Sequence, residues 1–313
     1  MTTTPHHLIL GAGQIGSELT RQLLKRGDTV TVASRRGTNI PGAKAITLDA
    51  SDATALAAAQ RDTTTTFVCT NPPYKSWPAE WPPVFTALIA ASQVSGSRLV
   101  LMGNLYGYGK ATMPMTEHTP FRPADTKGEV RAEGWQRLLH AHERGNLTAV
   151  EVRASDYIGP NANETSHVGK RFFTPILNSK SARVIGDPQL PHSWSYLPDI
   201  ASTLIAAASI EDRDSWGRAW VVPSTTRSRI EIAADINAAF HTNGRATRLP
   251  SALLSLAAAF DANLREVKRS SYQFEMPFVI DSTETEKALK VRATDWTEVI
   301  RTTGASYLET TAN

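Results

Sequence analysis

The run LILGAGQIGSELT places Gly11-x-Gly13-x-x-Gly16 between an apolar stretch and a helical pattern. Each glycine has a physical task there. The first permits a tight turn, the second lets a pyrophosphate approach the backbone, and the third packs helix against strand. The amides at Gln14 and Ile15, with the positive end of the helix, then hold the phosphates. A dinucleotide is the ligand such a loop fits. The second strand ends in Ser34-Arg35-Arg36, with no acid for a ribose 2′-hydroxyl. Two guanidiniums and a hydroxyl suit a 2′-phosphate, so NADP(H) is expected over NAD(H). Asp49, closing the third strand, is placed to meet the adenine side or to cap a helix starting at Ser51, and Asn71 follows the fourth strand beside the cofactor.

Proton chemistry has several candidates. Lys127 and Arg131 stand four apart in TKGEVRAE, on one helical face. Lys127 does acid chemistry if burial and neighbouring cations, Arg131 among them, lower its pKa to roughly 7–8. Arg131 anchors ribose hydroxyls as a rigid donor and releases no proton at neutral pH. Asn104 can donate to a developing oxyanion, and Tyr106 and Tyr108 follow the fifth strand. The proton source is therefore Lys127, Tyr106, Tyr108 or water. Trp77 and Trp81, in the Pro-rich loop 71–83, either cover the nicotinamide and substrate or anchor the loop. No metal site is expected: His140 and His142 are two apart on a helix and diverge, and His6 and His7 fall at a frayed terminus. Cys69, in FVC, reads as a core residue, and no Gly-x-Ser-x-Gly elbow is present.

The elements that must position these groups alternate. Apolar runs at 7–10, 29–33, 45–49, 65–70, 98–103 and 147–153 are separated by helical segments, the pattern of βαβ crossovers and a parallel sheet. Past Pro160 the order breaks into mixed helices and short strands, with 250–264 read as one helix. The fold class is α/β, a Rossmann-type doubly wound parallel sheet with a smaller, interleaved α+β substrate domain. The expected division is 1–160, with 192–224 returning to it, against 161–191 and 225–313. A net charge of +3 without a basic cluster excludes a nucleic-acid surface, and no apolar run is long enough for a membrane span. One cysteine and no signal-peptide layout fit the cytoplasm.

Beyond the glycine loop, LDASD after strand three, TEHTPFRP (116–123), VRASDYIGP (152–160), HSWSYLPDIASTLIAAAS (192–209) and VIDSTETEKALKVRATDW (279–296) resemble motifs of the extended short-chain dehydrogenase/reductase family, the NAD-dependent epimerase/dehydratases. The resemblance implies a substrate held between the two domains, with Tyr157, His167, His192 and Trp194 on segments that line that space. It also implies a Ser or Thr after strand five and a Tyr-x-x-x-Lys on the next helix. Here Gly103-Asn104 stand near the first, Lys127 takes the place of the tyrosine and Arg131 that of the lysine. The expected function is an NADP(H)-dependent oxidoreductase of a small carbonyl or activated alkene. The alternatives are an epimerase or dehydratase of a nucleotide-sugar-like substrate with bound cofactor, and a non-catalytic NADP(H)-binding redox sensor. A homodimer through VFTALIAAS and GWQRLLHAH is expected.

Overall fold

Residues alternate across the central strands so that both faces of the sheet are covered. The computed structural model describes residues 4–111, 114–162 and 166–309. Its strands are β1 (His6–Leu10), β2 (Thr29–Ser34), β3 (Lys44–Thr47), β4 (Thr65–Val68), β5 (Arg98–Asn104), β6 (Ala149–Ala154), β7 (Tyr157–Ile158), β8 (Ser181–Val184), β9 (His192–Tyr196), β10 (Ala219–Val221), β11 (Thr225–Arg227) and β12 (Arg245–Arg248). Its helices are α1 (Gln14–Lys25), α2 (Ala53–Gln60), α3 (Trp77–Ser95), α4 (Thr126–Glu143), α5 (Lys170–Leu177), α6 (Leu197–Ala208), α7 (Arg229–Phe240), α8 (Ser251–Phe260), α9 (Ala262–Arg269), α10 (Thr283–Leu289) and α11 (Trp296–Glu309).

Seven parallel strands form the main sheet in the order β10-β6-β5-β4-β1-β2-β3. Ile9, Phe67, Val100 and Val150 face α1 and α6, where Leu19, Leu23, Ile200 and Leu204 close one core. Leu8, Leu10, Leu99 and Leu101 face the other way, against Leu56, Trp81, Phe85, Leu88, Trp135 and Leu138 of α2, α3 and α4. β4 and β6 are buried throughout, as strands covered on both faces must be. The chain order reverses between β1 and β4, so a crevice opens at their carboxyl ends.

A smaller unit carries β7, β9 and β11 as one sheet and β8 with β12 as another, packed on α5, α7 and α11 around Phe172, Phe173, Ile176, Ile232 and Ile300. The segment 192–224 divides between the units: β9 pairs with β7 and β11, while α6 packs on α1 and β10 joins β6.

Three local expectations change. The Pro-rich stretch is helical from Trp77: Pro78 fits the first turn, Pro82 and Pro83 are carried inside, and Trp81 stacks on Phe85 at 5.1 Å. The helix read over 250–264 breaks at Asp261, whose extended backbone and carboxylate, accepting from the amides of Asn263 and Leu264, start α9 afresh. His6 and His7 are not frayed. They open β1, and the buried His7 lies 3.7 Å from Asp28. Among the described residues no helix is long and apolar enough to cross a membrane.

Candidate active site

The glycine loop runs from β1 into α1 at the crevice. Gly11 has φ +107°, and a Cβ there would strike the backbone of Cys69 and Thr70, while one at Gly16 would collide with the Gly11 carbonyl oxygen. Only glycine fits either place. Gly13 is the opposite case, since an added Cβ would meet nothing within 4 Å. Gly13 is also the N-cap of α1 and offers its first turn no side-chain acceptor. The amides there are free for an anion, and the space over Gly13 is open to receive it. The residues present therefore fit a dinucleotide pyrophosphate. The Gln14 side chain ties the loop to the smaller unit, donating to the Asn161 carbonyl at 2.7 Å and accepting from the Tyr157 hydroxyl at 3.2 Å.

At the end of β2, Ser34 Oγ accepts from the Thr38 amide at 2.9 Å, Arg35 lies 3.2 Å from Glu80, and Arg36 is exposed. Asp49 does not cap α2. It accepts from the amide and hydroxyl of Ser51, which hold its pKa below the usual carboxylate range, and Asp52 is the cap. Asn71 is exposed beyond β4.

Around β5 and α4 Lys127, Arg131 and Glu151 have partners within the chain, although Arg131 Nε is buried without one. Lys127 is 1% exposed and points at anions rather than cations: its Nζ lies 3.0 Å from Asp125, 3.3 Å from the Glu266 carboxylate and 2.8 Å from the Glu266 carbonyl. Asp125 also caps α4 and accepts from Ser270 Oγ at 3.1 Å. The cationic neighbourhood expected to lower the Lys127 pKa is thus replaced by two carboxylates, one of them 139 residues away. Arg131 is equally buried. It donates to the Met102 carbonyl at 2.5 Å, lies 3.9 Å from Glu151 and sits 4.5 Å over the Trp81 ring. Burial lowers its pKa to about 10, opposed by Glu151, so it stays charged at neutral pH. Gly103 has no room for a side chain, since a Cβ would fall 2.5 Å from Glu151 Oε1. Glu151 in turn is bonded by Arg153 at 2.7 Å.

Tyr108 leaves the set of proton donors, being fully buried with its hydroxyl accepting from Arg153 at 2.5 Å. Asn104 is half-buried and spends its Oδ1 on the Tyr106 amide at 3.1 Å. Tyr106 remains. Its hydroxyl and that of Tyr74 are 2.9 Å apart, and both rings are half-buried. Burial pushes the Tyr106 phenol well above its ordinary pKa and Tyr74 up to about 12. Tyr74 was missed in the sequence because nothing local pairs it with a residue 32 positions on.

Trp77 and Trp194 are core residues at 1% exposure, their ring N–H groups donating to the carbonyls of Pro72 and Arg227. Trp81 is buried likewise. His192 is 3% exposed and bonded to Asp156, whereas His167 keeps a quarter of its side chain open and Tyr157 is half-buried. Asp156, overlooked in the sequence, adds its negative charge to the burial that raises the Tyr74 and Tyr106 phenols. Elsewhere, ligand atoms of Glu117, His118 and Glu284 lie within 4.8 Å of one another, but His118 and Arg218 already bond Glu284. A hollow of about 640 Å³ between α1 and α6, lined by Arg21, Lys25, Arg26 and Ser202, sits at the opposite end of α1 from the glycine loop.

Residues 7–222 match the sequence profile of the NAD dependent epimerase/dehydratase family. Among curated proteins none matches the sequence. Solved structures similar in fold include a UDP-glucose 4-epimerase with UDP-glucose from Thermotoga maritima, at 15% identity and TM-score 0.79, covering 98% of this chain and 100% of that one. Another is a dTDP-glucose 4,6-dehydratase from Bacillus anthracis in complex with NAD, at 13% identity and TM-score 0.78, covering 98% and 97%. A third is the epimerase Mth375 of Methanothermobacter thermautotrophicus, at 17% identity and TM-score 0.79, covering 99% and 94%. At such identities the likeness is one of fold.

Proposed function

The chain belongs to the NAD dependent epimerase/dehydratase family, and we propose that it is an enzyme of that kind, holding a nicotinamide dinucleotide on the glycine loop and working on a hydroxyl- or carbonyl-bearing substrate between the sheet edge and the smaller unit. The observation that carries this is the uncapped start of α1 beneath the open space at Gly13. When bound, the dinucleotide accepts and returns hydride. Gly11, Gly13 and Gly16 shape its cradle, and Ser34, Arg35 and Arg36 favour a 2′-phosphate, because no carboxylate closes β2. The dTDP-glucose 4,6-dehydratase of similar fold is in complex with NAD, and the 2′-phosphate reading rests on Ser34, Arg35 and Arg36 of this chain alone.

Lys127 and Arg131 have structural work in this reading. Lys127 fastens α4 to α9, and Arg131 fills the space under Trp81. Proton handling passes to Tyr106 and Tyr74. Phenols held neutral by burial donate to an oxygen that is gaining negative charge, and each can hand its proton on to the other at 2.9 Å. That same neutrality favours a second reading, reduction of a small carbonyl, in which donation is the only proton step needed.

Parallel titrations with NADPH and NADH, read by tryptophan quenching, test the proposal. Binding of either dinucleotide is expected, NADPH about tenfold tighter. Equal affinities end the 2′-phosphate argument, and absence of binding ends the enzyme reading. Tyr106→Phe is expected to slow turnover by roughly 100-fold while leaving dinucleotide affinity within twofold. Unchanged turnover moves the donor elsewhere.

A further inference from the structure

Asp156 stands two residues past the end of β6, at the carboxyl edge where the crevice lies. It is held from both sides of its backbone: the Ser155 amide donates to Ser195 Oγ at 3.0 Å, and the Ser195 amide donates to the Asp156 carbonyl at 2.9 Å. Its carboxylate stands between two imidazoles. Oδ2 is 2.9 Å from His192 Nε2, and Oδ1 is 4.0 Å from His167 Nε2.

The two histidines live in different surroundings. His192 is boxed by Trp194, Phe274 and Phe278, with ring centroids 4.5, 4.9 and 5.1 Å away. Its Nδ1 is buried with no hydrogen-bond partner, so the carboxylate is its one polar contact. Within that box His192 Nε2 is turned to the Asp156 carboxylate. His167 leans on the other part of Phe274 at 4.4 Å, and a quarter of its side chain is open. Arg229, at the start of α7, lies behind Phe274 at 4.7 Å, with its guanidinium on the carbonyls of Ile185 and Asp187. Around Arg229 stand the carboxylates of Asp187 and Glu275.

We infer that His167 is a proton-transferring residue of this site, oriented by Asp156, and that His192 positions the carboxylate between them. As a substrate O–H bond breaks, its proton forms a bond to His167 Nδ1 and the electron pair stays on the substrate oxygen. The imidazolium, with Nε2 4.0 Å from Asp156 Oδ1, is stabilised by that carboxylate. The reverse step returns the proton. The negative charge of Asp156 selects a substrate uncharged at its reacting end, an alcohol or its ketone. Two electrostatic facts agree. Burial, reinforced by Arg229 and His192 and opposed by Asp156, lowers the His167 pKa, so the ring is a neutral acceptor near pH 7. Burial raises the Asp156 carboxyl, but the His192 hydrogen bond and the His167, His192 and Arg229 side chains around it outweigh that and lower its pKa overall. The inference depends on the proposed dinucleotide chemistry for its activity arm alone.

The test begins with the whole chain labelled with ¹⁵N at its histidine rings and followed by NMR from pH 4 to 8. One imidazole, identified by its loss in His167→Gln, is expected to titrate below 6.5 and to move further down in Asp156→Asn. A midpoint at or above 6.5, or one indifferent to Asp156→Asn, overturns the pair. The activity arm uses secondary alcohols that reduce the bound oxidised dinucleotide, read by nicotinamide absorbance. His167→Gln is expected to slow reduction by roughly 100-fold and to flatten the acid limb of the pH profile, with dinucleotide affinity unchanged. A variant that keeps the wild-type limb overturns the assignment. If the wild-type chain binds no dinucleotide, the proposed function falls, while the NMR arm still decides whether Asp156 governs His167.

Discussion

Two helices begin at the carboxyl edge of the sheet, and their first turns have opposite fates. α1 starts at Gly13 with free amides, no side-chain cap and open space above. α4 starts at Asp125 with its amide capped, and the next residue but one, Lys127, is pinned between Asp125 and Glu266. One start is built to receive a ligand from outside, and the other has received α9 from inside the same chain. A helix N-terminus is an anion site only when the protein has not already supplied the anion. At α4 it has, and the lysine expected to meet a substrate meets Glu266 instead.

The largest test of this contrast is Lys127→Ala. It leaves Asp125 buried without its cation and Glu266 with Arg269 alone, and is expected to cost roughly 3 kcal/mol in urea unfolding, with dinucleotide affinity retained in the folded protein. An unchanged midpoint accompanied by lost turnover would return Lys127 to the role of proton donor. Gly13→Asp probes the other helix. The new side chain has space, so the unfolding midpoint is expected to stay within about 0.5 kcal/mol. Its carboxylate would face the phosphates and lower dinucleotide affinity on the order of 100-fold. Retained affinity would move the ligand off α1. Smallest is Ser270→Ala, which removes one hydrogen bond to Asp125 and is expected to destabilise by about 1 kcal/mol without touching dinucleotide binding.

The same contrast explains what could be read from the amino-acid order. A phosphate cradle is made of backbone, so glycines at fixed spacing report it directly, and the buried strands report themselves as apolar runs. Helix α3 was legible from Val84 onward, but its first turns were hidden because prolines normally end a helix, and here Pro78, Pro82 and Pro83 are carried within it. Lys127 and Arg131 were legible as replacements but not as ion-paired groups, since Glu266 and Glu151 reach them through the tertiary fold. Gly103 was read as a lost hydroxyl, although the reason for the loss is the Glu151 carboxylate beside it. Asp156 draws its meaning from His192, 36 residues later, and carries no local signal.

The bond between Lys127 and Glu266 also sets a clock. α9 packs on the 74–76 turn that carries Tyr74, so any outward swing of α8 and α9 must first bare a buried ammonium and two carboxylates. That event is slow compared with the flicker of a surface loop, because charges torn from one another in a dry setting have no water waiting for them. A molecule resting against Tyr74 would therefore come and go by the side of the crevice that α9 does not cover.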